Sequence, residues 1–114
     1  MLNFLLPNLR ETVMIKGVTA DEYCVILDIL APWYKKYDFY FYGSRVKGDY
    51  RPLSDLDIMI KGSCEADFDD MDMLKSAFDN SNLPYIVNFA DYYRLSEDFY
   101  NLIKNDLIEI PIDR

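Results

Sequence analysis

The apolar residues of the chain recur at helical spacing in some stretches and form short strand-like runs in others. From Thr19 to about Lys36 they recur every three or four positions, which predicts a first helix. Thr19 and Glu22 fit a capping box, in which each side chain bonds the backbone amide of the other. Pro32 marks a point where this helix can kink or end early. The predicted buried stripe is Tyr23, Ile26, Leu27, Leu30, Trp33 and Tyr34.

The remaining pattern predicts four strands and two further helices. The strands are placed at 38–42, about 55–60, 85–89 and 107–110. One helix is predicted over 65–81, with the apolar stripe Phe68, Met71, Leu74, Ala77 and Phe78, and the last runs from its cap at Ser96 to about Asn105. This order of elements predicts an α/β (α+β) fold, a mixed β-sheet flanked by helices.

The length of 114 residues is interpreted as a single domain, 1–114, with residues 1–16 as an N-terminal extension. The extension is rich in apolar residues, and we interpret it as a packing arm. No apolar run approaches the ~20 residues of a membrane span, and the N-terminus lacks the basic start of a signal peptide. These features predict a cytoplasmic protein with no membrane partner, in which Cys24 and Cys64 are reduced core thiols.

The formal net charge of −8 narrows the classes of partner. Proteins that bind long nucleic acids usually carry a basic stripe that neutralises phosphates, and this chain has an acidic excess instead. We therefore predict no long nucleic-acid partner, although its few basic residues suffice for one small triphosphate. The sequence leaves open whether the chain forms an oligomer.

One stretch, residues 43–57, has residue types and a spacing that indicate a binding site: Gly-Ser, ten residues, then Asp-Leu-Asp. Gly43 has no Cβ, so the backbone can turn sharply there and approach a ligand closely. If the following residues open a helical turn, their amides and the hydroxyl of Ser44 face an anion. Arg45 and Lys47 place positive charge beside that turn. This pattern predicts a phosphate-binding turn.

The two aspartates at the end of this stretch predict a metal site. Side chains alternate along a strand, so Asp55 and Asp57 share one face while Leu56, Ile58 and Ile60 turn to the other. Two carboxylates at this spacing can both reach one Mg²⁺ or bridge two ions. Together with the phosphate-binding turn, they indicate a site for nucleotide transfer.

The sequence Gly-Ser-Arg-x-x-Gly-Asp-x-Arg-x-x-Ser-Asp-x-Asp over residues 43–57 resembles the nucleotidyltransferase (DNA polymerase β-like) superfamily. It is most similar to the minimal nucleotidyltransferase branch, whose members often pair with HEPN-domain proteins as toxin–antitoxin pairs. The resemblance implies the nucleotidyltransferase fold. Gly43 and Ser44 would hold the triphosphate, and Arg45 or Lys47 would offset developing charge. Asp55 and Asp57 would bind Mg²⁺.

The resemblance also implies a reaction. Mg-ATP, or another NTP, would donate a nucleoside monophosphate, AMP in the case of ATP, to a protein hydroxyl, with pyrophosphate as leaving group. The acceptor would be a tyrosine of a HEPN-type partner protein, and this chain would be the antitoxin of the pair.

One position departs from the family pattern. Relatives carry a third acid on the strand after the second helix, in a frame that Leu83-Pro84-Tyr85-Ile86-Val87-Asn88 fits, but here the acid is replaced by Asn88. The resemblance implies that this acid completes the metal site and helps to deprotonate the attacking hydroxyl. An amide can coordinate through its oxygen, yet it brings no charge and cannot act as a general base. Asp91 would need a bulge or turn to substitute for it, because it faces the opposite side of a regular strand.

Three hypotheses follow. The first is a nucleotidyltransferase whose catalytic residues are Asp55, Asp57 and Asn88, slowed or inactivated by the missing acid. The second is a binding module that neutralises a partner protein by contact, with exposed rings such as Tyr92 and Tyr93 at the interface. The third, a small-molecule nucleotidyltransferase, fits least because the chain is too short for an added substrate-binding region.

Overall fold

The described part of the chain, residues 15–111 in a computed structural model, builds a four-stranded sheet with helices on both faces. The strands are β1 (Asp38–Tyr42), β2 (Leu56–Lys61), β3 (Val87–Asp91) and β4 (Ile108–Glu109). Their order across the sheet is β3-β2-β1-β4. β1 runs antiparallel to β2 and β4, whereas β2 and β3 are parallel. The predicted mixed sheet flanked by helices is therefore confirmed. Most of the proposed N-terminal extension, residues 1–14, lies outside the described residues.

Within residues 15–111 there are four α-helices, one before β1 and one in each connection between successive strands. They are α1 (Ala20–Leu30), α2 (Ser44–Lys47), α3 (Phe68–Asp79) and α4 (Glu97–Ile103), and 3₁₀ turns cover Ala31–Trp33, Tyr92–Arg94 and Lys104–Asp106. The capping box of α1 is present, with reciprocal bonds of 3.1 Å between Thr19 and Glu22. Pro32 lies in the first turn of a 3₁₀ segment, so α1 ends at Leu30 rather than near Lys36.

The two faces of the sheet are covered by different helices. Leu56, Ile58 and Ile60 of β2 point into the main core, which the buried stripes of α1 and α3 complete. Met59 points to the other face and packs in a smaller cluster with Ile103 of α4. The predicted alternation along β2 is therefore confirmed, and α4 shares the face onto which Asp57 projects.

Several predictions about burial and boundaries are wrong. Phe68, 69% exposed, begins α3 and lies against the guanidinium of Arg94 at 4.3 Å instead of joining the core. Ala77 is exposed as well. Cys24 and Cys64 are free and exposed, not buried in the core.

The third strand begins at Val87, two residues later than predicted. Tyr85 is buried, and its hydroxyl donates to a carboxylate oxygen of Glu22 at 2.9 Å, so the chain here is tied to α1 before the sheet begins. Within residues 15–111, no helix is long and apolar enough to cross a membrane.

Candidate active site

Gly43 makes the turn that connects β1 to the short helix α2. Its φ of 89° and ψ of −162° lie in a region that only glycine adopts readily. A Cβ at this position would lie 2.4 Å from Oδ2 of Asp57. Gly43 is therefore required twice, by its backbone conformation and by the close approach of the Asp57 carboxylate.

Three side chains meet on the face of the sheet that also carries α4. Parallel pairing places Asn88 of β3 directly beside Asp57 of β2. The amide Nδ2 of Asn88 donates to Oδ2 of Asp55 at 2.7 Å. The structure thus brings together Asp55, Asp57 and Asn88, which the sequence placed at the centre of the site, and Asp57 lies against the Gly43 turn.

The pKa values of Asp57 and Tyr42 are raised first by burial and second by neighbouring negative charge. Burial raises the pKa of Asp57, contact with the Asn88 amide opposes that rise, and the neighbouring charge of Asp55 adds to it. Tyr42 pairs with Asp57 across β1 and β2, and burial, with a contribution from Asp57, raises the pKa of its hydroxyl to about 12. The Asn88 amide therefore partly compensates charge at a place where the family pattern would add a third carboxylate.

These side chains fit a divalent cation of the Mg²⁺ type. Across residues 15–111, no cluster of three or more His, Cys, Asp and Glu side chains could hold a metal ion. Mg²⁺ is nevertheless commonly bound by one or two carboxylates, with water and substrate phosphates supplying its other ligands. Asp55 and Asp57 provide that number, and Oδ2 of Asp57 lies close against the backbone of Gly43.

Arg45 takes a different place from the one that its charge suggested. The side chain is only 3% exposed. It donates to the carbonyl oxygens of Gly17 (2.7 Å), Pro52 (2.8 Å) and Ser54 (2.9 Å), with a longer bond to that of Arg51. Its guanidinium also lies 4.0 Å from the ring of Tyr85. Arg45 therefore holds the loop that leads to Asp55, and the structure does not bring it into the ligand space.

Ser44 and Lys47 lie at opposite ends of α2. Ser44 is the first helical residue, where backbone amides have no partner within a helix. Lys47 is exposed and forms a loose ion pair with Asp106 at 3.8 Å. Of the two basic residues predicted to bind nucleotide, only Lys47 has a charged group that is accessible to solvent.

Asp91 is turned away from the site, as its spacing from Asn88 predicted. It pairs with Ile60, so it faces the main core, and it is buried. Its carboxylate accepts from the amide of Ala66 at 2.9 Å and pairs with Arg94 at 2.8 Å. A side chain held in this way cannot replace the missing acid.

Sequence reasoning did not identify Gly17 as part of the site's support. A Cβ on Gly17 would lie 2.4 Å from Cβ of Arg45, so only glycine lets the chain before α1 pack on the loop. Tyr50 adds a bond from its hydroxyl to the carbonyl of Lys16 at 2.9 Å. The available signal in the sequence was a glycine two residues before the cap of α1. It could not identify the contact, because Arg45 is distant in sequence.

A turn built on glycine, one carboxylate just before a strand and a second on it, and a neighbouring strand form the framework of one known family. Residues 24–112 match the family described as "Nucleotidyltransferase domain", and the chain belongs to that family. Membership implies a nucleoside triphosphate substrate and, typically, a divalent metal ion.

Two known proteins are similar to this chain. The chain is 36% identical over 93 residues to the "Probable protein adenylyltransferase MntA" of Haemophilus influenzae, and the alignment covers 82% of each protein. A crystal structure of a "putative nucleotidyltransferase" from Sulfolobus solfataricus is 21% identical, with a TM-score of 0.46 over 76% of this chain and 77% of that one.

Proposed function

We propose that this chain binds Mg-ATP and transfers AMP to a hydroxyl group of a partner protein, with a rate limited by Asn88. The observation that carries the proposal is the meeting of Asp55, Asp57 and Asn88, with Asp57 against the Gly43 turn. We call the Gly43, Ser44 and Asp57 side of this site the donor side, and the Asn88 side the acceptor side.

The donor side would bind the triphosphate. The first backbone amides of α2 and the hydroxyl of Ser44 would face phosphate oxygens. Lys47 would offset part of the negative charge of the phosphates. Asp55 and Asp57 would hold Mg²⁺, which when bound neutralises phosphate charge and makes the α-phosphorus more electrophilic. Arg45 contributes by fixing the loop in front of Asp55, so that both carboxylates are in place before the nucleotide arrives.

The acceptor side would receive the protein hydroxyl. The hydroxyl oxygen forms a bond to the α-phosphorus, the bond from that phosphorus to the bridging oxygen breaks, and pyrophosphate leaves. The hydroxyl proton must also leave, and the Asn88 amide cannot accept it. It passes to solvent instead. Loss of a general base typically lowers a rate by ~10²–10⁴. The expected result is tight binding of nucleotide with slow transfer.

The choice of AMP and of a protein acceptor rests on similarity. The Haemophilus influenzae relative is described as a probable protein adenylyltransferase. The motif over residues 43–57 resembles the minimal nucleotidyltransferases that pair with HEPN-type proteins, so we propose a HEPN-type acceptor and an antitoxin role.

The test is transfer from α-labelled ATP with Mg²⁺ to proteins that co-purify with the chain. Asp55→Ala/Asp57→Ala should abolish labelling. The matched control is Asp28→Ala/Asp69→Ala, which removes two exposed carboxylates from α1 and α3 and should leave labelling unchanged. Equal labelling by the Asp55→Ala/Asp57→Ala variant would contradict the proposal.

Neutralisation of a partner by contact alone is a second candidate, favoured by exposed apolar side chains two residues before Asp55 and two before Asn88 in the sequence. Leu53 is 76% exposed and Ile86 is 55% exposed, and both line the same groove. If the Asp55→Ala/Asp57→Ala variant still forms the complex but no longer neutralises the partner, contact alone is excluded. If it neutralises as well as the unaltered chain, contact is sufficient.

A further inference from the structure

Helix α4 places an aromatic ring beside the donor side. The ring of Phe99 meets that of Tyr42 edge-on, with 6.0 Å between their centroids. Phe99 is nevertheless 38% exposed, so part of its ring faces solvent. Its backbone amide donates to the capping hydroxyl of Ser96 at 3.1 Å, which fixes the start of the helix that carries it.

The position of Phe99 relative to the site follows from the sheet. Tyr42 directly precedes Gly43 and pairs with Asp57, so a ring that contacts Tyr42 borders the donor side. Asn88 lies on the other side of β2, because the strand order is β3-β2-β1. The 3₁₀ turn that follows α4 reaches α2 through the pair of Asp106 and Lys47. Helix α4 and its following turn therefore border the space in which the proposed nucleotide would lie.

We propose that Phe99 is the surface on which the base of the bound nucleotide stacks. This inference rests on the proposed function, and it identifies what recognises the part of the nucleotide beyond its phosphates. A base can stack on an aromatic ring whatever its identity, because every base has a π-face. We therefore expect Phe99 to contribute similarly to binding of ATP and of GTP.

The other exposed rings of residues 15–111 are less suitable. Phe68 lies beneath the guanidinium of Arg94, and it is on α3, which packs against the opposite face of the sheet. Tyr93 follows the far end of β3 and is paired edge-on with Tyr92, whose ring in turn carries the ammonium of Lys61. These rings lie away from the Gly43 turn, whereas Phe99 is separated from it by one side chain.

The experiment measures equilibrium binding by calorimetry, in Mg²⁺, of ATP, GTP and inorganic tripolyphosphate. Phe99→Leu should weaken ATP and GTP binding roughly 5- to 100-fold, the range expected for loss of one stacked base. Tripolyphosphate has no base, so its affinity should not change, which also shows that the variant retains a folded site. Phe99→Trp should restore nucleotide affinity. Phe68→Leu, the same substitution at an exposed ring elsewhere, is the matched control and should have no effect.

Three outcomes would overturn the inference. Unchanged ATP affinity in Phe99→Leu would show that the ring only packs on Tyr42. Equal weakening of ATP and tripolyphosphate would show that Phe99 supports the phosphate site rather than the base. If the unaltered chain bound neither ATP nor GTP, the proposed function would fail as well, so the two failures are distinguishable.

Discussion

The donor side and the acceptor side of the site are both fixed by the backbone, but they differ in the charge of their side chains. On the β1 side of β2, Gly43 has the positive φ and the missing Cβ that let Asp57 approach the turn. On the β3 side, strand pairing places Asn88 directly beside Asp57, where a third carboxylate would be expected, but it supplies only an amide. The framework on both sides is therefore intact, and the difference is confined to one functional group.

This difference shows why binding and transfer should be separable in this protein. Position in the sheet depends on backbone pairing, which does not distinguish Asn from Asp. Proton acceptance depends on the carboxylate alone. Substitutions on the donor side should therefore affect nucleotide binding, and those on the acceptor side should affect the rate of transfer.

On the donor side, Gly43→Ala should have a large effect. The added Cβ meets Oδ2 of Asp57 and alanine is strained in this backbone conformation, so displacement of the carboxylate should lower transfer by roughly 10²-fold. Gly48→Ala is the matched control, because Gly48 also has a positive φ, of 92°, but its Cβ would meet only the flexible side chain of Lys16. Both variants should lose stability, and only Gly43→Ala should lose ATP affinity. Equal ATP affinities would contradict the assignment of Gly43 to the donor side.

The next prediction distinguishes the roles of the two basic residues of α2. Arg45→Met removes the donors that hold the carbonyls of Gly17, Pro52 and Ser54, and it should lower the free energy of unfolding by about 2–4 kcal/mol. Lys47→Met should leave stability unchanged but weaken ATP binding roughly threefold to tenfold, since it loses one charge-assisted contact. Urea unfolding and calorimetry on both variants distinguish these roles. A stable Arg45→Met variant with weak ATP binding would return Arg45 to the ligand-binding set.

A smaller effect concerns metal removal and stability. Asn88→Asp exchanges a hydrogen bond to Asp55 for like-charge repulsion, so in EDTA it should lower the free energy of unfolding by about 1–2 kcal/mol. Mg²⁺ should recover most of that loss, and it should stabilise the unaltered chain less. The measurement is the melting temperature with and without Mg²⁺. An Asn88→Asp variant insensitive to Mg²⁺ would argue against a metal at this place.

The smallest expected effect concerns Asp70, which lies outside the site and serves as a control. Hydrogen bonds from Lys36 at 2.6 Å and Tyr37 at 2.5 Å hold the pKa of Asp70 below its ordinary value. A lowered pKa stabilises the fold above the ordinary pKa of the carboxyl, and this contribution is lost as the pH falls through the folded-state value. Asp70→Asn should therefore cost at most about 1 kcal/mol at neutral pH and less in acid, with transfer unchanged.

Local signals in the sequence predicted much of the fold. The capping box at Thr19, the aromatic strand 38–42 and the alternation along β2 each depend on neighbours in the chain, and each was predicted from them. The boundary of β3 was shifted because Tyr85 is held by Glu22, a residue far away in sequence. Exposed Cys24 could have been predicted, because it lies off the helical stripe that includes Tyr23 and Ile26.

The candidate site was predictable in its residue types but not in the roles of its basic residues. Arg45 and Lys47 look equivalent in a sequence, two positions apart and of the same charge. What separates them is a set of backbone carbonyls from Gly17 and the loop at 51–54, which surround only Arg45. That arrangement exists only after the chain before α1 has packed on the loop. Phe99 likewise approaches Tyr42 only through the placement of α4 on the sheet.

The central claim is that Asn88 alone limits a site that is otherwise complete. Its most direct test is the initial rate of AMP transfer from α-labelled ATP with Mg²⁺ to the co-purifying acceptor, measured for the unaltered chain and for Asn88→Asp. Asp57→Ala provides the background. We predict that Asn88→Asp is faster by ~10²–10⁴, because a general base is restored beside intact donor residues. Equal or lower transfer by Asn88→Asp, with ATP affinity unchanged, would contradict the account.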